Sequence, residues 1–290
     1  MSKLKAIDPE LAEPSKPKIM IFGSAGAGKT FTSMDFPDVY LFDTEGGANR
    51  TQYTEKLKNS GGAYFGIEQG SQSFNTVIEQ VQALATEDHR YKTIVIDSAT
   101  KIYEMARAEA AETGGDAFGK DKKEANRPAR RLMHWLQKVD MNVILICHEI
   151  AQWGIDNKGE RTQTGVTYDA WPKLDYDLDL ALHIRKQGPQ RLARITKSRL
   201  MSFGEGENFD WSYENFAARY GKEVIERQPK KIDLATPEQV AEFQRLIKVV
   251  KLDAENRNDK LIIDNQESIA ETESAKAVKI IDYLKRKVST

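Results

Sequence analysis

An apolar run at residues 18–22 leads directly into Gly23-Ser24-Ala25-Gly26-Ala27-Gly28-Lys29-Thr30. This is G-x-x-x-x-G-K-[ST] in full, and it constrains the fold more than any other feature of the chain. It requires a strand, a tight glycine loop and a helix in immediate succession. The glycines let successive backbone N–H groups curl around phosphate oxygens. Lys29 is placed to reach the β- and γ-phosphates, and Thr30 to offer its hydroxyl to magnesium. Gly23, Ser24, Ala25, Gly26, Ala27, Gly28, Lys29 and Thr30, with Phe31 next in the chain, are therefore the expected nucleotide-binding residues.

Short apolar runs continue to alternate with amphipathic stretches. Strands are expected at 18–22, 39–42, 93–96, 142–147, 178–184 and 191–196. Between them, Phe74, Val77, Ile78, Val81 and Leu84 recur at helical spacing, as do Leu132, Trp135, Leu136 and Val139 in a helix expected over 128–139. Such alternation predicts an α/β fold with a mostly parallel central sheet covered on both faces. Residues 112–126 and 151–173 are polar and are read as two long functional loops.

The ends differ in character. Residues 1–17 carry Pro9, Pro14 and Pro17 and read as an extended arm, ahead of a core over 18–225. Residues 226–236 read as a linker. Thr236-Pro237-Glu238-Gln239 then opens a helix with a capping threonine, a first-turn proline and a glutamine three residues on. A small helical unit is expected over 237–290, with Leu261-Ile262-Ile263 in its middle and a last helix from Ser274.

Two further strands end in acids. Thr93-Ile94-Val95-Ile96-Asp97-Ser98 places Asp97 where it either holds magnesium or caps the following helix. Val39-Tyr40-Leu41-Phe42-Asp43-Thr44-Glu45-Gly46-Gly47 places a second carboxylate at the same sheet edge. Hydrolysis needs a base or water-orienting group beyond the γ-phosphate, and Glu45 is the candidate, with Asp43 read as structural.

Composition narrows the remaining possibilities. With 43 basic against 44 acidic residues, any nucleic-acid surface must be local. The single cysteine, Cys147, rules out an internal disulfide and a cysteine-rich zinc site. No apolar run approaches the roughly 20 residues that span a bilayer. The N-terminus lacks the apolar stretch of a signal peptide, so a cytoplasmic protein is expected, in the host cytoplasm if viral.

The order of these parts resembles the RecA-like ATPase core. More narrowly it resembles the phage RecA-like single-strand annealing ATPases, over residues 17–205. Lys18-Ile19-Met20-Ile21-Phe22-Gly23, Phe42-Asp43-Thr44-Glu45-Gly46-Gly47, Asn142-Val143-Ile144-Leu145-Ile146-Cys147-His148 and Ile195-Thr196-Lys197-Ser198-Arg199 carry the likeness. The resemblance implies a catalytic role for Glu45, and for His148 a γ-phosphate sensor that relays to the next loop. RecA itself has glutamine there. Lys197 and Arg199 match basic residues that reach a neighbouring subunit's nucleotide, so a ring or filament with shared ATP sites is implied.

The resemblance also implies that the two polar stretches bind single-stranded DNA. The first runs into Lys120, Lys122, Lys123, Arg127, Arg130 and Arg131, a local excess of cations suited to a phosphate backbone. The second holds Trp153, Tyr168 and Trp171, on which bases can stack. ATP with magnesium, single-stranded DNA and a homo-oligomer are thus the expected ligands and assembly. The C-terminal unit is open to docking a single-strand binding protein or to capping the core. A replicative helicase or loader ATPase and a P-loop switch are the alternatives. A GTPase switch requires Asn/Thr-Lys-x-Asp, and Thr196-Lys197-Ser198-Arg199 carries arginine in place of the aspartate.

Overall fold

The computed structural model describes residues 9–114, 120–155, 159–250 and 269–288. The chain divides into two compact units, Met1–Lys230 and Lys231–Thr290.

The first unit is built on β1 Lys18–Gly23, α1 Lys29–Ser33, β2 Val39–Asp43, α2 Thr51–Asn59, β3 Ala63–Phe65, α3 Phe74–Thr86, β4 Thr93–Asp97, α4 Ala99–Gly114 and α5 Lys120–Lys138. It continues through β5 Asn142–Ile155, β6 Arg161–Asp169, β7 Leu180–Gln187, β8 Gln190–Ser198, β9 Asn208–Asp210, α6 Tyr213–Tyr220 and α7 Lys222–Glu226. Among the described residues the strands form one nine-stranded sheet in the order β3-β2-β4-β5-β1-β7-β8-β9, with β6 added on β5. From β3 to β7 every pairing along this order is parallel, while β6, β8 and β9 pair antiparallel. The fold class is the one expected, an α/β fold with a mostly parallel central sheet.

The central strands are unbroken apolar runs because both of their faces are covered. Ile19, Met20, Ile21, Val143, Ile144, Leu145 and Ile146 are all buried. Phe74, Val77, Ile78, Val81 and Leu84 of α3 are buried too, and Ser73 caps that helix by accepting the Thr76 N–H.

Both stretches read as loops are ordered differently. In the first, α4 extends to Gly114 and α5 begins at Lys120, so Pro128 lies inside a helix rather than at its start. Lys, Glu, Ala and Arg are strong helix formers, and polarity alone does not make a loop. The second stretch is mainly a hairpin. β5 runs on past the buried 142–147 segment to Ile155 and pairs antiparallel with β6. Thr162, Thr164, Val166 and Tyr168 alternate along β6 and suit a pleated strand.

The parallel strands bring their C-terminal ends to one edge. Gly23 lies opposite His148, Asp43 opposite Asp97, and Phe22 opposite His183. β5 lies between the strand that enters the glycine loop and the strand that ends at Asp97. Ligand sites of open α/β sheets form at this edge.

At the opposite end the N-terminal arm is pinned. Lys16 is buried and donates to the carbonyls of Val224, Ile225 and Arg227, while the Tyr220 hydroxyl donates to Ser15 O.

The second unit contains α8 Pro237–Val250 and α9 Ser274–Val288 around Phe243, Leu246, Ile247, Val250, Ile269, Ala277, Ile280, Ile281 and Leu284. The capping box forms as the sequence suggests. Gln239 N–H donates to Thr236 Oγ1 at 3.2 Å, and Thr236 N–H donates to Gln239 Oε1 at 2.9 Å. Leu261-Ile262-Ile263 lies outside the described residues. No described helix is long and apolar enough to cross a membrane.

Candidate nucleotide-binding site

Backbone geometry explains the loop's glycines. Gly26 and Gly28 have φ of 76° and 88°, in the region that side chains disfavour. A Cβ on Gly23 would come within 2.3 Å of the Ile184 carbonyl oxygen, so that residue lets β1 and β7 approach. Lys29 is buried and its ammonium donates to Gly23 O at 2.7 Å and Ser24 O at 3.0 Å, closing the loop. Burial lowers its pKa, against the nearby Asp97, Glu149 and Glu45 charges.

Thr30, in the first turn of α1, donates its hydroxyl to Asp97 Oδ2 at 2.5 Å. Burial pushes the Asp97 carboxyl up to about 6, with Glu45 and Asp43 adding to the rise and the Thr30 hydrogen bond opposing it. A hydroxyl beside a carboxylate suits a magnesium ion that takes the rest of its shell from phosphate and water. The peptide between Asp97 and Ser98 is cis.

Asp43 braces the next loop. Its carboxylate accepts the N–H groups of Glu45, Gly46, Gly47 and Ala48 at 3.3, 2.9, 3.1 and 2.7 Å. That brace holds Glu45 at the mouth of the site. Glu45 Oε1 accepts from Ser98 Oγ at 2.6 Å and pairs with His148 Nε2 at 2.7 Å. The Thr44 hydroxyl ties the same loop to the backbone of Ser98. His148 N–H donates to Thr100 Oγ1 at 2.9 Å, and that hydroxyl donates to Asp169 O. The ends of β2, β4 and β6 are thus linked to the middle of β5, with Glu45 and His148 each about half exposed. Lys29, Thr30, Asp97, Glu45 and His148 come together although up to 119 positions separate Lys29 from His148 in the chain.

Residues 15–210 match the family described as the AAA domain. The chain belongs to the AAA domain family. No curated protein matches it. Among solved structures it is similar to the RadB recombinase, at 18% identity and a TM-score of 0.41, over 68% of this chain and 88% of that one. That likeness is too loose to carry functional weight.

The AAA domain's glycine loop borders an open cleft of about 430 Å³, which Glu149, Val166, His183, Arg185 and Lys186 also line. His183 pairs with Glu149 at 3.0 Å and stacks on Phe22 with ring centroids 4.9 Å apart. None of these residues, nor Ser98, was singled out from the sequence. The signal available was position alone, since His183-Ile184-Arg185-Lys186 continues β7 past the edge where β1 ends. Phe31 is 38% exposed, with the Lys56 ammonium 3.6 Å from its ring centroid and the Arg191 guanidinium 5.9 Å away.

Lys197 and Arg199 are not part of this constellation. β8 runs antiparallel to β7, with Gln190 opposite Gln187 at the loop edge and Ser198 opposite Leu180 at the other. In the single chain Lys197 donates to Leu178 O and Arg199 to Tyr176 O. Burial, then the Arg199 charge, lowers the Lys197 pKa.

The residues expected to meet DNA separate into groups. Arg127, Arg130 and Arg131 share the exposed face of α5. The side chains of Lys120, Lys122 and Lys123 lie outside the described residues. Trp153 is 53% exposed on the β5–β6 hairpin, with the Arg161 guanidinium 5.1 Å from its ring centroid. Trp171 corrects its expectation. It is only 4% exposed and packs edge-on against Phe74 and Tyr103, so its indole presents no face to a base. Tyr168 is likewise committed, donating to Asp175 Oδ1 at 2.7 Å.

Proposed function

We propose that this AAA domain binds ATP with magnesium and hydrolyses it as a RecA-like ATPase acting on single-stranded DNA, in recombination, annealing or repair of the phage type. One observation carries the ATPase reading: a carboxylate, Glu45, held by Ser98 and His148 at the same sheet edge as the glycine loop and the Thr30–Asp97 pair. Lys29 exchanges the Gly23 and Ser24 carbonyls for the β- and γ-phosphates. Thr30 and Asp97 hold magnesium, which supplies charge neutralisation at the phosphates when bound. Glu45 orients the attacking water and accepts its proton.

His148 joins this carboxylate to the strand that becomes the β5–β6 hairpin. It thereby couples the γ-phosphate position to the surface that carries Trp153. The exposed arginines of α5 and the Trp153–Arg161 pair supply phosphate contacts and a stacking face. Lys197 and Arg199, at the opposite edge from their own glycine loop, serve the nucleotide of an adjacent copy in a ring or filament.

Steady-state ATP hydrolysis with and without single-stranded DNA at low salt tests the reading. Glu45→Gln is expected to bind ATP as tightly as the wild type while turnover falls about 100- to 10,000-fold. Wild-type turnover in that variant removes Glu45 from its role. Absence of both DNA stimulation and DNA binding removes the DNA half of the proposal and leaves the ATPase half standing.

A further inference from the structure

Arg191, the second residue of β8, is used by none of the roles above. It stands 163 positions beyond Gly28 in the chain, yet its guanidinium lies against that glycine. A Cβ built on Gly28 would fall 2.1 Å from Arg191 Nε and 2.9 Å from Cζ. Its Nε is buried and has no hydrogen-bond partner, and among the described residues no carboxylate pairs with it. The guanidinium carbon also lies over the Phe31 ring, 5.9 Å from its centroid. A planar cation with an unsatisfied buried donor, held against a phosphate-binding loop, is arranged for an anion that the protein does not itself provide.

The position along the loop identifies which part of the ligand it meets. Lys29 Nζ lies at the Gly23–Ser24 side, where the terminal phosphates belong. Arg191 lies at the Gly28–Phe31 side, so a polyphosphate stretched along the loop turns its ribose-proximal end toward the guanidinium. The Trp211 N–H donates to Arg191 O at 2.7 Å, and Trp211 Nε1 donates to Thr32 Oγ1 of α1 at 2.7 Å, so the strand bearing Arg191 is fixed to the helix that follows the loop. We propose that Arg191 is a ligand, from the same chain as the glycine loop, for the ribose-proximal phosphate of the bound nucleotide. This rests on the nucleotide-binding reading of that loop.

The distinguishing consequence is that ADP and ATP share this contact, whereas a cation serving the γ-phosphate affects ATP alone. Titration calorimetry of the full chain with magnesium-ADP and with magnesium-ATP reads it. Arg191→Ala is expected to weaken both nucleotides by the same factor, about 10- to 100-fold. Arg191→Lys is expected to recover part of that loss, because it keeps the charge without the fork. Arg191→Gln preserves most of the stem over Phe31 while removing the charge, so it stands in if the alanine variant does not fold. Affinity of the Gln variant within twofold of wild type for both nucleotides overturns the proposal. So does a loss confined to ATP. Wild-type protein that binds neither nucleotide overturns the loop reading itself, and with it this inference.

Discussion

Replacing Asp97 with asparagine is expected to make the nucleotide-free protein more stable. In the folded chain burial raises this carboxyl from its ordinary 3.8 to about 6, so at neutral pH the fold holds an anion that it disfavours. At about 1.4 kcal/mol per pH unit, ionised Asp97 costs about 3 kcal/mol. Asparagine is nearly isosteric and still accepts from the Thr30 hydroxyl, so the substitution removes the charge and keeps the hydrogen bond. The sign follows from linkage. A raised folded-state pKa gives stability that is fully present below 3.8 and is lost as pH rises through about 6. The advantage of Asp97→Asn therefore grows over that window and levels off above it.

Urea melts in EDTA at pH 7.5 are expected to show the variant about 2 to 3 kcal/mol more stable, and thermal melts a gain of roughly 5–10 °C. At pH 5 the gap shrinks by about 1.4 kcal/mol. Magnesium-ATP closes this gap. The wild type gains about 2.7 kcal/mol at one hundred times its Kd, and the variant gains little. Equal stability of the two proteins in EDTA at pH 7.5, or a gap that does not shrink at pH 5, refutes the reasoning.

Two further outcomes separate the proposed roles. Mixing Lys197→Ala with Lys29→Ala is expected to restore ATP turnover that each lacks alone, because one kind of mixed interface contains a complete site. Co-assembly without recovered turnover, read by light scattering beside the ATPase assay, rules out the contribution from a neighbouring copy. Trp171→Ala is expected to cost about 3–5 kcal/mol of stability as a core truncation. Trp153→Ala should leave the melt unchanged but weaken single-stranded DNA binding by about 1–3 kcal/mol, measured by fluorescence anisotropy.

Much of the sheet was legible because its information is local. A buried parallel strand must be an unbroken apolar run. Five of the six expected strands lie within observed ones, and the sixth, 178–184, starts two residues ahead of β7. The helix at Thr236 was equally readable, since a capping box lies within four consecutive residues. The β5–β6 hairpin was missed because it projects from the sheet with exposed faces. Its Gly, Gln and Thr residues carry the polarity of a loop while their alternation is that of a strand. The polar residues around Trp171 suggest a stacking surface because they say nothing of Phe74 and Tyr103, which reach it from α3 and α4.

The glycine loop itself marks the boundary between the two kinds of information. Gly23 to Thr30, with the apolar run before it, specifies by itself a strand, a phosphate cradle and a helix, because glycine φ freedom and the lysine's reach are properties of adjacent residues. What surrounds that cradle is a matter of strand order. Because only β4 separates β2 from β5, His148 and Glu45 meet; because β8 returns antiparallel to β7, Arg191 lies on the loop while Lys197 and Arg199 are carried to the far edge. Only pairing across the sheet sets those distances.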